Sequence, residues 1–183
     1  MKDKAIRTVI FDYLEENVGK IRIFEESTIN SSRCDFFTVT DRLTGYEIKS
    51  DADSYERLAR QIKDYDAFFD ENYLVVGASH SASAEKKIPD HWGIICITDT
   101  DDGFVVEITR AARPNPKLKR KNQILKLWNP EITAIAKRNR LPVYNGKSKA
   151  FRAAALVKKL DDEKLRADIC RELFERDYAR EEQ

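Results

Sequence analysis

Two short and almost wholly apolar runs constrain the fold most strongly. Tyr73–Gly77 reads YLVVG and Gly93–Thr98 reads GIICIT, so each run has the length of a single strand. Strands without alternating polar residues are typically buried on both faces of a sheet. Helices must then cover both of those faces. The two runs therefore predict an α/β protein with a central sheet flanked by helices.

The residues before these runs predict two helices with strands between them. Apolar residues recur at three- and four-residue steps over residues 4–18, which is typical of an amphipathic helix that ends before Gly19. Asp53 and Glu56 form a capping-box pattern at the start of a second helix, predicted over residues 54–70. The strands between the helices are predicted at Lys20–Glu26, Cys34–Thr40 and Gly45–Ser50.

The residues after the second apolar run predict a hairpin and then a change of structural class. The acidic turn Asp99–Gly103 is typical of a hairpin that leads to a strand at Phe104–Thr109. Arg113-Pro114-Asn115-Pro116 interrupts regular structure, and the sequence beyond it has helical periodicity throughout. We therefore predict a core over residues 1–112 and an all-helical, basic extension over residues 113–183.

Charge is distributed very unevenly along the chain. Residues 1–109 contain 13 Lys and Arg against 22 Asp and Glu, residues 110–159 contain 15 against 1, and residues 160–183 contain 5 against 9. The strong excess of basic residues over residues 110–159 indicates a surface that binds a polyanion, because each phosphate that pairs with a Lys or Arg releases its counterions. The alternative is a solvated basic helix surface.

Cysteine usage and hydropathy exclude several classes of protein. Cys34, Cys96 and Cys170 lie far apart without a CxxC pair, and there are only two histidines, so neither a disulfide framework nor a zinc site is expected. The first 18 residues lack the pattern of a signal peptide, and no window approaches the roughly 18 apolar residues of a membrane span. We therefore expect a cytoplasmic protein that does not bind a membrane.

A small group of acidic and basic residues indicates a candidate catalytic site. On the strand that contains Glu47, Ile48 and Lys49, the side chains of Glu47 and Lys49 share a face while Ile48 points into the core. If the preceding strand pairs with this one, Asp35 lies beside Glu47. Two carboxylates and the Ile48 carbonyl are oxygen ligands of the kind that Mg²⁺ prefers. The alternative is a surface ion pair between Glu47 and Lys49, which is common on exposed strands.

These residues also carry a family resemblance. Asp35, Glu47-Ile48-Lys49 and the helix with Gln61 and Tyr65 resemble the active-site signature of the PD-(D/E)XK nucleases, with the Gln-x-x-x-Tyr helix of the RecB-like branch. The resemblance covers about residues 20–98. Within it, Gly45–Asp51, the helix from Leu58 to Tyr65, Leu74–Gly77 and Asp90–Ile95 are similar to an uncharacterised bacterial nuclease-like family.

The resemblance implies both a fold and a set of roles. It implies a restriction-endonuclease-like core with a mixed central sheet, and a Mg²⁺- or Mn²⁺-dependent deoxyribonuclease that acts in DNA repair, processing or defence. Asp35 and Glu47 are implied as metal ligands, Lys49 as the catalytic lysine and Gln61 as an auxiliary contact. Many relatives add one further acidic residue, and Glu15, Glu16, Glu25 and Glu26 are all candidates. The alternative is a catalytically silent fold that binds nucleic acid or a partner protein.

The basic extension predicts how DNA is held. A helix, a polar basic loop and a second helix over about residues 124–160 resemble a SAP-like DNA-binding module, and the alternative is a helical cap on the core. The sequence leaves open the form of nucleic acid that is cut, whether cutting starts from an end, and whether the chain is a homodimer. The predicted phosphate contacts are Lys119, Arg120, Lys121, Lys147, Lys149 and Arg152.

Overall fold

The computed structural model describes residues 3–50 and 53–178. Contacts divide the chain into two compact units. The first unit contains the residues up to Thr38 together with Leu43–Leu118, and the second contains Val39–Arg42 and the residues from Lys119 onward.

The first unit contains a six-stranded sheet with the strand order β1-β4-β5-β6-β7-β8, and a separate antiparallel pair formed by β2 and β3. Its helices are α1 (Asp3–Val18), α2 (Leu58–Asp66) and α3 (Ala78–Ala84). Its strands are β1 (Arg22–Glu25), β2 (Thr28–Ile29), β3 (Ser32–Arg33), β4 (Phe36–Val39), β5 (Leu43–Lys49), β6 (Glu71–Gly77), β7 (Gly93–Thr100) and β8 (Gly103–Arg110).

The sheet is mixed, as the sequence predicts. β5, β6 and β7 run parallel, with Lys49 opposite Val76 and Val76 opposite Cys96. β8 returns antiparallel to β7 through the predicted acidic turn, where Thr100 is opposite Gly103. The two apolar runs form the centre of the sheet in β6 and β7, which confirms the prediction of an α/β core with a mixed central sheet flanked by helices.

The two faces of the sheet bury different kinds of side chain. On one face, α1 packs against alternating residues of the strands, and this cluster contains Ile6, Ile10, Leu14, Phe36, Tyr46, Ile48, Val75, Ile95 and Ile97. On the other face, aromatic rings pack together. The ring centroid of Tyr65 of α2 lies 5.2 Å from that of Phe69 and 5.4 Å from that of Trp92, and the Phe69 centroid lies 5.5 Å from that of Phe37. Because successive side chains alternate, Tyr46 and Ile48 face α1 while Glu47 and Lys49 face α2.

The start of α2 differs from the sequence prediction. The helix begins at Leu58 instead of residue 54, and no side chain caps it. Asp53 is not a helix cap, because its carboxylate accepts hydrogen bonds from the backbone nitrogen and the hydroxyl of Ser50 at 2.8 and 2.6 Å. Although burial raises the pKa of Asp53, these bonds outweigh burial and hold that pKa below its usual value.

The second unit is helical after Lys119, as predicted. Its helices are α4 (Arg120–Lys126), α5 (Asn129–Arg138), α6 (Lys149–Lys159) and α7 (Asp162–Glu175). Ser148 and Asp161 cap α6 and α7 by accepting hydrogen bonds from the backbone nitrogens of Phe151 and Lys164. Their shared apolar core contains Ile124, Leu127, Ile132, Ile135, Leu156, Leu165, Ile169 and Leu173. Across the described residues of both units, no helix is long and apolar enough to cross a membrane.

Candidate active site

Glu47 and Lys49 form a buried ion pair on β5. Their exposed fractions are 1% and 5%, and the Lys49 Nζ lies 2.9 Å from the Glu47 Oε1. The structure therefore excludes a solvent-exposed strand pair, which is the simpler interpretation of the sequence. Two opposite charges removed from water need further hydrogen bonds to offset desolvation.

The helix α2 supplies those bonds from two side chains one turn apart. Gln61 donates its amide nitrogen to the Glu47 Oε1 and accepts from the Lys49 Nζ at 3.3 Å. Tyr65 donates its hydroxyl to the Glu47 Oε2 at 2.7 Å. Side chains four residues apart share a helix face, so the Gln-x-x-x-Tyr spacing brings both groups onto the same carboxylate. Burial and the charge of Glu47 raise the pKa of Tyr65 well above its usual value, which keeps the phenol a hydrogen-bond donor.

The Asp35 side chain binds the backbone of β5, the strand that contains Glu47 and Lys49. Its Oδ2 accepts a hydrogen bond from the Ile48 nitrogen at 2.7 Å, and its own backbone nitrogen lies 3.3 Å from the Tyr65 hydroxyl. Asp35 is thus fixed beside the residue that separates Glu47 from Lys49. The structure brings together all four residues that the sequence predicts for catalysis, which are Asp35, Glu47, Lys49 and Gln61.

Arg7 of α1 is a neighbour of Asp35 that is absent from the residues predicted from the sequence. Its guanidinium lies 3.9 Å from the Asp35 Oδ1, donates to the Asp35 carbonyl at 3.0 Å and reaches Glu25 at 3.3 Å. Of the four candidates for an additional acid, Glu25 is joined to Asp35 through this arginine, whereas Glu26 pairs with Arg33. The signal in the sequence is that Arg7 adjoins Ile6, so it lies at the border of the buried stripe of α1.

The donor set at this site fits a hard divalent cation. The described residues contain no cluster of three or more His, Cys, Asp or Glu side chains suited to a metal ion. Two carboxylates and the intervening Ile48 carbonyl are, however, all oxygen donors, and Mg²⁺ commonly binds through one or two carboxylates and keeps several waters. Asp35, Glu47 and Ile48 are therefore the residues that could hold Mg²⁺ or Mn²⁺.

His91 and Trp92, which belong to the similarity over Asp90–Ile95, lie in a separate buried network. The His91 Nε2 and the Trp92 Nε1 both lie within hydrogen-bond distance of the Asp66 Oδ1, at 2.9 and 2.8 Å. Lys117 reaches the other Asp66 oxygen at 3.3 Å. This arrangement joins the end of α2 to the start of β7, which is a structural role.

The predicted phosphate contacts fall into two groups. Lys119, Lys121 and Lys147 are exposed, and Lys149 is partly buried, which lowers its pKa through desolvation. Arg120 and Arg152 are buried within the second unit.

The two buried arginines are engaged inside the unit. Arg120 is paired with Asp162 at 2.7 Å and donates to Gln123, while Arg152 donates to Asn129 and Thr133. These contacts give Arg120 and Arg152 a structural role, so the exposed lysines are better placed to meet a phosphate.

Comparison with solved structures supports the fold of part of the chain. A protein of unknown function from Silicibacter pomeroyi superimposes with a TM-score of 0.50 at 18% identity, over 67% of this chain and 78% of that one. SfsA from Pyrococcus furiosus, solved in complex with Ca²⁺, matches with a TM-score of 0.36 at 15% identity, over 63% of each chain. The likeness to the Silicibacter pomeroyi protein concerns the fold alone. No protein with a curated description matches the sequence significantly.

Comparison with protein families gives a match over the whole chain. The family described as bacteriophage P4 protein cII matches residues 1–183. This family is not the PD-(D/E)XK nuclease superfamily that the motifs resemble. Because the match extends from the first residue to the last, the chain belongs to the bacteriophage P4 protein cII family.

Proposed function

We propose that this protein is a metal-dependent nuclease that hydrolyses phosphodiester bonds in DNA. The observation that carries the proposal is the burial of Glu47 and Lys49 with Gln61 and Tyr65, directly beside Asp35. A buried ion pair adds little stability, because desolvation offsets most of the attraction between its charges. Function is therefore the better explanation for two carboxylates and an ammonium group placed together.

Each side chain of the site has its own role in the proposed hydrolysis. Asp35, Glu47 and the Ile48 carbonyl would hold Mg²⁺, which would supply Lewis-acid polarisation of the phosphodiester. Lys49 places its ammonium beside the reacting phosphate and stabilises the negative charge that develops there. Gln61 orients Lys49 and Glu47 together, and Tyr65 fixes the second oxygen of Glu47. The attacking water forms the new bond to phosphorus as the bond to the leaving oxygen breaks. The water loses one proton to solvent, and the leaving oxygen takes up one proton from solvent.

A catalytically silent binding module is the second candidate. The Glu47 Oε1 accepts hydrogen bonds from Lys49 and Gln61, and the Oε2 accepts one from Tyr65, so a metal must either use the remaining acceptor position of Oε2 or displace a donor. A network that never opens would leave a nuclease-like core that binds without cutting. Under this alternative the chain retains nucleic acid but leaves it intact with every divalent ion.

A cleavage assay with labelled duplex, single-stranded and branched DNA, and with RNA, separates the two candidates. We expect Mg²⁺- or Mn²⁺-dependent cleavage that excess chelator stops. The double variant Glu47→Gln/Lys49→Met should lose at least about a hundredfold in rate, since preorganised charges contribute effects of this size. It replaces both charges together, so no unpaired charge stays buried.

The matched control for this assay is Lys63→Met. Lys63 is an exposed lysine of α2, outside the proposed site, and its replacement should leave the rate unchanged. Equal loss in the control and in the double variant would overturn the assignment. So would undiminished cleavage by the double variant.

A further inference from the structure

Two aromatic rings and two lysines meet between α5 and α6, far in sequence from the proposed active site. Tyr144 lies in the loop before α6, Lys147 lies two residues before the start of that helix, and Phe151 and Lys159 lie on it. We call Tyr144, Lys147, Phe151 and Lys159 the aromatic–lysine patch. Of these four residues, only Lys147 is predicted from the sequence as a nucleic-acid contact.

The contacts within the patch hold each lysine against a ring. The Tyr144 and Phe151 rings meet edge to face, with centroids 5.3 Å apart and an interplanar angle of 83°. The Lys147 Nζ lies 5.8 Å from the Phe151 centroid, and the Lys159 Nζ lies 5.4 Å from that of Tyr144, within the range of cation–π attraction. Lys159 also donates to the Tyr144 hydroxyl at 3.1 Å, and an ammonium group has three donors in all.

Phe151 is exposed although the helix has its own buried face. It is 46% exposed, whereas its neighbours Arg152 and Ala153 are buried, as is Leu156 one turn later. The Phe151 ring is therefore not part of the buried core of the second unit. The ring lies where a flat apolar group from solution can reach it.

The surroundings of the patch favour an anion. Residues 110–159 contain 15 Lys and Arg and a single acid, Glu131. That acid is buried and both of its carboxylate oxygens are bound by Arg176 at 2.6 Å. No carboxylate of this segment therefore neutralises Lys147 or Lys159.

We propose that the aromatic–lysine patch binds a single-stranded polynucleotide, with a base stacked on Phe151 and neighbouring phosphates on Lys147 and Lys159. Aromatic side chains beside cationic groups are the usual means of binding single strands, because every base has a face that can stack. Bases inside a duplex are already stacked and cannot meet the ring. The inference rests on the proposed function, for which it names single-stranded DNA as the form held during cleavage.

The test measures binding of the full chain in excess chelator, so that no cleavage occurs. Fluorescently labelled oligothymidylate and a duplex of equal length are titrated at one salt concentration, and fluorescence anisotropy gives the Kd. Phe151→Ala should weaken binding of the single strand about tenfold, within the range for loss of one stacked base. Binding of the duplex should change less than about twofold, since its bases do not reach the ring.

Two further variants separate stacking from general apolar contact. Phe151→Leu keeps an apolar side chain without a ring and should resemble Phe151→Ala. Val157→Ala on the same helix is the matched control, since Val157 is 41% exposed, and it should bind like the wild type. A thermal unfolding curve for each variant verifies that the fold is kept, and an oligouridylate arm shows whether RNA is held equally well.

The outcomes distinguish this inference from the proposed nuclease function. Unchanged single-strand binding by both Phe151 variants overturns the inference, as does an equal loss for single strand and duplex. If the chain cuts DNA while Phe151→Ala binds normally, only the inference fails. If the chain binds single strands through Phe151 but cuts nothing, only the nuclease proposal fails.

Discussion

Glu47 accepts hydrogen bonds from three different side chains although it is almost wholly buried. A buried carboxylate needs hydrogen-bond donors that replace the water it has lost. The Tyr65 hydroxyl has a single hydrogen, and it lies within hydrogen-bond distance of both the Glu47 Oε2 at 2.7 Å and the Tyr46 carbonyl at 3.1 Å. Stability and the proposed chemistry therefore depend on the same hydroxyl.

Replacing Tyr65 by Phe should destabilise the protein by about 1–3 kcal/mol, because a buried acceptor is left without its partner. Chemical denaturation of the full chain measures this change. Tyr55→Phe is the matched control, since the Tyr55 hydroxyl is buried and has no hydrogen-bond partner among the described residues. Its removal should be neutral or slightly stabilising. Equal effects of the two substitutions would contradict the importance of the Glu47 contact.

The sequence predicts part of the site because its information is local. Glu47 and Lys49 share a strand face, and Gln61 and Tyr65 share a helix face, so both pairs follow from regular periodicity. Helical spacing places Arg7 at the border of the buried stripe of α1, but it does not identify the partner of Arg7. Its contact with Asp35 depends on where α1 crosses the sheet, which is a tertiary property.

At the scale of elements, local side-chain bonds decide where α2 begins. The capping-box pattern predicts a start at residue 54, but the Asp53 carboxylate accepts hydrogen bonds from Ser50 instead. As a helix cap or bonded to Ser50, Asp53 would in either case accept a hydrogen bond from a nearby backbone nitrogen. Asp side chains commonly have such competing local bonds. The buried strands β6 and β7 have no such alternative, and the sequence predicts them closely.

Gly93 at the start of β7 offers a test of packing between elements. A Cβ atom there would overlap the Tyr73 ring and lie 2.8 Å from the backbone nitrogen of Ala112. The Tyr73 ring could rotate away, but the backbone of Ala112 cannot move without disturbing the end of β8. Gly93→Ala should therefore lower the free energy of unfolding by about 1–3 kcal/mol, the usual range for overpacking.

Gly146 is the matched control for Gly93. A Cβ atom on Gly146 meets nothing within 4 Å, so Gly146→Ala should leave stability nearly unchanged. Denaturation midpoints of the two variants provide the comparison. A Gly93→Ala protein as stable as the wild type would show that β7 and the segment after β8 are not closely packed.

At the scale of the whole molecule, composition and contacts divide the chain at slightly different places. The proline-rich break predicts a boundary after residue 112, whereas the first unit continues to Leu118. One reason is Asn115, whose side chain donates to the carbonyls of Asp66 and Phe69 at 2.8 and 2.7 Å. Asn115 fixes these residues to the core together with Arg113, which donates to the Asp90 carbonyl, and Lys117, which pairs with Asp66. Hydrophobic periodicity does not indicate such bonds.

The charge distribution leads to the last prediction, which concerns the salt dependence of DNA binding. Residues 1–109 carry an excess of acids and should repel a phosphate backbone, so affinity should depend on the basic residues 110–159. Lys119, Lys121 and Lys147 are exposed there, whereas Arg120 and Arg152 are held inside the unit. Replacing the three exposed lysines by Gln should therefore weaken binding without loosening the fold.

For each phosphate contact that is lost, the plot of log affinity against log salt should become shallower by about 0.9 on duplex DNA and about 0.7 on a single strand. A titration of labelled DNA at several salt concentrations in chelator gives the slope. The control triple variant replaces Lys4, Lys63 and Lys86, which are exposed in the first unit, and so removes the same charge. If both triple variants reduce the slope equally, the effect comes from net charge alone. A reduction confined to Lys119, Lys121 and Lys147 would instead locate the phosphate contacts on the helical unit.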